Sequence, residues 1–145
     1  MKGKIVIASG YFDPIHEGHI EYLNLARKLG TELIVIVNND IQSALKSGKN
    51  FYNEKERLRI VSNLKSVDKA ILSIDPDGTV CKSIEEIVKR TPIGYEFIFA
   101  KGGDRYAHEI PEAQICRQYN VKIIDGLGSK IQSSSDILKR YRNKC

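Results

Sequence analysis

The chain has 145 residues, 41% hydrophobic and 28% charged, with a net charge of +5; that fits one ordinary domain with its own buried core and argues against a disordered chain. A sequence pI of about 9.1 favours an anionic partner but does not separate a nucleotide from a nucleic acid. Cys81, Cys116 and Cys145 are odd in number, far apart and in no C-x-x-C arrangement, so neither a disulfide framework nor a zinc ribbon is indicated.

The start, MKGKIVIASGYF, reads as a poor signal peptide, because its apolar run is short before charge and proline arrive. No stretch approaches the ~18 apolar residues of a membrane span. The expectation is a single cytoplasmic domain over 1–145.

The first predicted strand is KIVIAS at 4–9. It is followed by a helical pattern on Ile20, Leu23, Ala26 and Leu29, with Gly30 where that helix should stop. ELIVIVN at 32–38 is the second strand. Then comes the polar stretch KSGKN, and a helix with Leu58, Val61 and Leu64 on its apolar face. That periodicity leaves Arg57 exposed or at a cleft rim. KAILSI at 69–74 is the third strand, and Pro76-Asp77-Gly78 is a turn before a helix carrying Val80, Ile84, Ile87 and Val88. YEFIFAK at 95–101 is the fourth strand. Pro111 can open a short helix around Ala113 and Cys116, VKIID at 121–125 is the fifth strand, and a last helix runs from about Ser134 to Tyr141.

The strands are near-continuously apolar, which suits strands covered on both faces. Alternation with helices therefore predicts an α/β fold, Rossmann-like with three α/β/α layers and a parallel sheet of about five strands.

In such a sheet ligands bind beyond the carboxyl ends of the strands, where strand order reverses. Three segments fall at such ends: GYFDPIHEGH after the first strand, KGGDR after the fourth and GLGSKIQSSSD after the fifth. Each suits an anion at a helix N-terminus. If Gly18 and His19 begin the helix, His16 and His19 can converge above its start, with Gly18 leaving room for a close ligand. Capping or packing histidines are the plain alternative. Metal coordination lacks a third ligand, His108 being distant. KGGD offers Gly102 and Gly103 for close backbone approach and Asp104 as an acceptor, and Ser133, Ser134 and Ser135 offer hydroxyls ahead of the last helix. Lys46, Lys49 and Arg57 complete the basic set, though each alone reads as a solvated charge.

GYFDPIHEGH resembles the G-x-F-D-x-x-H-x-G-H signature of the nucleotidyltransferase superfamily that holds the cytidylyltransferases, and the likeness extends along nearly the whole chain. ARKLGTELIVIVNND, ending on Asp40, looks like the family's second strand. NEKERLRIVSNLKSVDKAI, with Arg57 and Asp68, looks like its Glu-x-Arg and Val-Asp stretch, and SSSDIL is similar to its closing serine motif. KGGD is similar to that of the ADP-heptose synthase adenylyltransferase domain, a branch belonging to lipopolysaccharide core biosynthesis.

The resemblance implies transfer of a nucleoside monophosphate from ATP or CTP to a phosphorylated sugar or polyol, with pyrophosphate released by direct in-line attack. His16 and His19 would contact the triphosphate, and Lys46 and Arg57 would draw in phosphates. Gly10, Tyr11, Phe12, Asp13 and Gly18, with Lys101, Gly102, Gly103 and Asp104, would hold the nucleotide, and Ser133 to Ser135 its outer phosphates. Mg²⁺ would arrive with the nucleotide, and relatives are commonly homodimers.

The turn FDPIH is closer to the mononucleotide and phosphopantetheine adenylyltransferases, which form the alternative. Against it, Leu138 stands where those enzymes carry Arg. Lys130 in GLGSKIQ stands in place of the Arg preceding the serines of the glycerol-3-phosphate cytidylyltransferases. A nucleotide-sensing or RNA-binding module, prompted by LKRYRNK at 138–144, is disfavoured for want of interleaved aromatics.

Overall fold

A computed structural model describes residues 2–47, 50–103 and 110–128 of the chain. Five parallel strands form one sheet in the order β3-β2-β1-β4-β5: β1 (Gly3–Gly10), β2 (Glu32–Val37), β3 (Lys69–Leu72), β4 (Tyr95–Gly102) and β5 (Val121–Leu127). The helices between them are α1 (Glu17–Arg27), α2 (Asp40–Ser47), α3 (Glu54–Ser62), α4 (Cys81–Arg90) and α5 (Ala113–Gln118). The five-stranded, Rossmann-like α/β architecture expected from the sequence is present.

Side-chain alternation along each strand divides the interior into two cores. Val6, Ala8, Val35 and Ala100 pack with Leu23, Ala26 and Val61 from α1 and α3. Ile5, Ile7, Ile36 and Phe99 pack with Ile84, Ile87 and Cys116 from α4 and α5. Because both faces are covered, the central strands must be apolar at every position, and Val6, Ile7 and Ala8 are fully buried in succession.

Strand order reverses between β1 and β4, since the chain steps from β1 outward to β3 and then crosses back to the other side of β1. Their carboxyl ends therefore diverge into a crevice. Tyr22 of α1 ties this point together, its hydroxyl donating to the Ala100 carbonyl (2.6 Å) and accepting from the Ser9 amide (3.4 Å).

Helix α2 lies where the sequence pattern shows no apolar face toward the core. Its inward side is polar, with Gln42 and Ser43 buried, while Ile41 and Leu45 are exposed. The signal that marks it is a capping pair: Asn39 Oδ1 accepts from the Gln42 amide (2.9 Å), and Gln42 Oε1 accepts from the Asn39 amide (3.0 Å).

Candidate active site

The loop leaving β1 turns sharply. Phe12 adopts a positive φ of 53°, a conformation costing a non-glycine residue about 1–3 kcal/mol and kept only where the surrounding structure over-determines the backbone. Its side chain is buried, with the ring set edge-on to His19 at 5.0 Å between centroids. Gly10 makes room for this fold-back, because a Cβ there would sit 2.8 Å from Phe12 Cζ.

Helix α1 begins at Glu17, one residue earlier than the sequence suggests, with His16 as its N-cap. His16 Nδ1 accepts from the Gly18 amide (3.1 Å), and His19 Nδ1 accepts from the His16 amide (3.1 Å). This reciprocal capping box brings the rings into a stack 3.8 Å apart and 25° from parallel. Since both Nδ1 atoms accept, the proton of each neutral imidazole must reside on Nε2, leaving each ring an Nε2–H donor. Burial lowers the proton affinity of His16, which Glu17 partly opposes. His19 is pushed down to about 3 by burial first, then by the charges of His16 and Lys46. The pair is therefore neutral near pH 7 and offers hydrogen bonds rather than formal charge.

Arg57 corrects the reading of its helix: it is fully buried, neither exposed nor at a rim. Its Nε donates to the Tyr52 carbonyl (3.1 Å), Nη1 to the Tyr11 (2.8 Å) and Asn38 (2.6 Å) carbonyls, and Nη2 to Asp40 Oδ1 (2.8 Å). The guanidinium is thus bound to backbone at the ends of β1 and β2, to the Tyr52 carbonyl and to Asp40. Asp13 is likewise committed, its carboxylate accepting from the Phe51 (2.9 Å) and Tyr52 (2.7 Å) amides. Together Arg57 and Asp13 fasten the loop after β1 to the segment ahead of α3.

Lys46, in the last turn of α2, places Nζ 4.4 Å from the centroid of the Tyr11 ring, a cation–π geometry. Both side chains line a cleft of about 360 Å³ beyond the ends of β1, β2 and β4. Ser9, Gly10, Asn38 and Lys101 line it from the ends of β1, β2 and β4, and Gly78, Val80, Pro111 and Glu112 line it from the segments ahead of α4 and α5. The volume is near the lower end of small-molecule sites, which run from about 300 to 1,000 Å³. Lys46 joins this cleft to the histidines, since it both lines the cavity and acts electrostatically on His19.

Gly102 serves packing: a Cβ there would meet Tyr22 Cδ1 at 3.2 Å and the Leu127 carbonyl at 3.4 Å. Gly103 follows with a positive φ of 74°, and a Cβ there would meet nothing within 4 Å, which suits a turn only glycine adopts freely. The structure thus brings Gly10, Tyr11, Phe12, His16, His19, Lys46 and Lys101 to one edge of the sheet. Asp104, Ser133, Ser134 and Ser135 lie outside the described residues, as do Lys49, His108, Lys130 and the basic tail. Asn38, Gly78, Val80 and Glu112 are not among the site residues expected from the sequence; Gly78 and Val80 figure there only as a turn and a helix position, and it is the fold that brings all four to the cleft.

A crevice at the strand-order reversal, with paired Nε2–H donors at a helix N-terminus and Lys46 acting on them, suits a phosphate-bearing ligand. The profile of the cytidylyltransferase-like family matches residues 7–140, and the chain belongs to that family. It is 33% identical over 139 residues to a protein of Picrophilus torridus named FAD synthase, covering 93% of this chain and 94% of that one. Likeness to a Thermoplasma acidophilum protein of the same name reaches 46% over 94 residues, 63% of each chain. Among solved structures, a lipopolysaccharide core biosynthesis protein from Thermoplasma volcanium superposes with a TM-score of 0.67 at 35% identity, covering 87% of this chain and 98% of that one. No helix among the described residues is long and apolar enough to cross a membrane.

Proposed function

We propose that the chain transfers an adenylyl group from Mg²⁺-bound ATP to the phosphate of flavin mononucleotide, forming FAD and releasing pyrophosphate. The observation that carries the acceptor is the likeness, over nearly the whole chain, to a protein named FAD synthase. FAD is flavin mononucleotide joined to AMP through a pyrophosphate, so its synthesis calls for this donor and this acceptor. The relatives' names thus favour a mononucleotide acceptor over the sugar or polyol phosphate expected from KGGD.

A phosphate is already nucleophilic at neutral pH, so the reaction needs alignment and charge stabilisation more than a catalytic base. An oxygen of the flavin phosphate attacks the α-phosphorus of ATP; the bond from that phosphorus to the α–β bridging oxygen breaks, and pyrophosphate departs with the electron pair. The Nε2–H groups of His16 and His19, above the N-terminus of α1, donate to the donor's phosphate oxygens as charge builds there. Lys46 and Lys101 attract the acceptor phosphate, and Gly78, Val80 and Pro111 give the flavin ring an apolar wall. Gly102, Gly103, Asp104 and Ser133 to Ser135 are assigned to the donor nucleotide. Mg²⁺ would come with ATP and would supply positive charge against its phosphates.

A second reading, transfer to a sugar phosphate, is favoured by the lipopolysaccharide core biosynthesis protein that shares the fold at 35% identity. The two separate in one experiment. Purified chain with Mg²⁺ and either ATP or CTP is offered flavin mononucleotide, heptose phosphate, glycerol phosphate, nicotinamide mononucleotide and phosphopantetheine, and products are read by mass. FAD from ATP is the expected product; adenylylated or cytidylylated sugar without FAD would establish the second reading instead.

A further inference from the structure

We propose that Gln42 is a positioning residue that holds the cleft wall ahead of α4, residues 77–80, and thereby sets affinity for the acceptor; the acceptor part rests on the function proposed above. Gln42 is fully buried on the inward side of α2. Its Oε1 accepts from Asn38 Nδ2 (3.0 Å) and from the Asn39 amide (3.0 Å). Its Nε2 donates to the carbonyls of Asp77 (2.6 Å) and Thr79 (2.8 Å). Both amide hydrogens and both oxygen lone pairs are therefore occupied.

Capping α2 accounts for the oxygen alone. The amide nitrogen instead reaches the two carbonyls that flank Gly78. That turn is otherwise closed on itself, Asp77 Oδ1 accepting from the Thr79 amide (3.0 Å) and hydroxyl (2.7 Å). Beyond it, the Val80 amide donates to Glu112 Oε2 (3.0 Å). Asn38, Gly78, Val80 and Glu112 all line the cleft. Asn39 ties the start of the loop between β3 and α4, its Nδ2 donating to the Ser73 and Asp75 carbonyls (3.0 Å each), and Gln42 is the joint that holds its later part, the carbonyls of Asp77 and Thr79, without lining the cavity itself.

Gln42→Glu keeps oxygens toward Asn38 and Asn39 and removes both donors to the wall. Loss of these bonds is expected to speed hydrogen exchange at amides 77–80 and to raise the KM for flavin mononucleotide, each by about 10-fold, with the KM for ATP unchanged. Gly78→Leu is the companion variant, because nothing lies within 4 Å of a Cβ there; it fills the cavity from the wall and raises the acceptor KM without lowering the melting temperature. Should Gln42→Glu not fold, Gln42→Met carries the same readouts. The proposal is overturned if the variant lowers the melting temperature while exchange at 77–80 and the acceptor KM stay at wild-type values, or if the KM values for ATP and acceptor rise together. A wild-type chain that makes no FAD would remove the acceptor reading alone; unchanged exchange at 77–80 would then still overturn the role of Gln42.

Discussion

Replacing Arg57 by methionine removes a buried guanidinium while roughly keeping its bulk. Three carbonyls, those of Tyr11, Asn38 and Tyr52, lose their donor, and Asp40 loses its ion pair. Breaking a buried pair from one side costs about 3–5 kcal/mol. Asp40 keeps 35% of its side chain exposed, so water takes over part of its solvation and the lower end, about 3 kcal/mol, is the expected loss. For a chain of this size that is a fall in melting temperature of about 6–12 °C. Arg57→Lys retains the charge but not the fork, and should recover only part of it. Urea unfolding followed by circular dichroism gives the number, and ATP titration of the folded variant gives its companion. If Arg57→Met unfolds within about 1 kcal/mol of wild type yet loses most of its ATP affinity, Arg57 is a phosphate ligand and the strut assigned to it here is wrong.

His16→Ala and His19→Ala should each lower kcat by about 10²–10³, the effect of removing one donor from a developing anion; wild-type turnover in both variants would deny the pair its part in transfer. Stability should also depend on pH through His19. Its folded value of about 3 lies below the ordinary 6.5, so the unfolded chain binds a proton that the folded chain refuses. The stabilisation is complete above pH 6.5 and is lost as pH falls toward 3. Denaturant melts between pH 8 and pH 4 should show that decline, and His19→Asn should flatten it; an unchanged slope in the variant would place the titration elsewhere. Lys46→Met should lower kcat/KM for the acceptor by about 10- to 100-fold, as expected for one charge-assisted phosphate contact, and added salt should weaken wild-type acceptor binding more than that of the variant.

The sheet was legible because burial on both faces leaves a direct mark: Val6, Ile7 and Ala8 in succession can only be apolar. The histidine pair was legible for a similar reason, since two imidazoles three residues apart at a helix start are brought together by local geometry alone. Helix α2 was hidden by the opposite circumstance. Its core-facing residue, Gln42, is polar and its apolar residues, Ile41 and Leu45, face outward, which inverts the periodicity that marks a helix. Arg57 misled because a charged residue beside an apolar stripe is ordinarily solvated, whereas here three backbone carbonyls and Asp40 converge on it. The cleft wall could not be read at all. Gly78 and Glu112 are distant in sequence and become neighbours only through the crossover that carries the chain from one side of β1 to the other.

The central claim is that donor and acceptor meet across the end of β1, with ATP phosphates on the histidine side and the flavin in the cleft beside Lys46. A crystal structure of the chain with flavin mononucleotide and a non-hydrolysable ATP analogue tests it most directly. The flavin ring against residues 78–80, its phosphate near Lys46, and the analogue's phosphates within hydrogen-bond distance of both Nε2 atoms is the predicted arrangement. Phosphates remote from His16 and His19, or a cleft filled by adenosine with the flavin elsewhere, would contradict it.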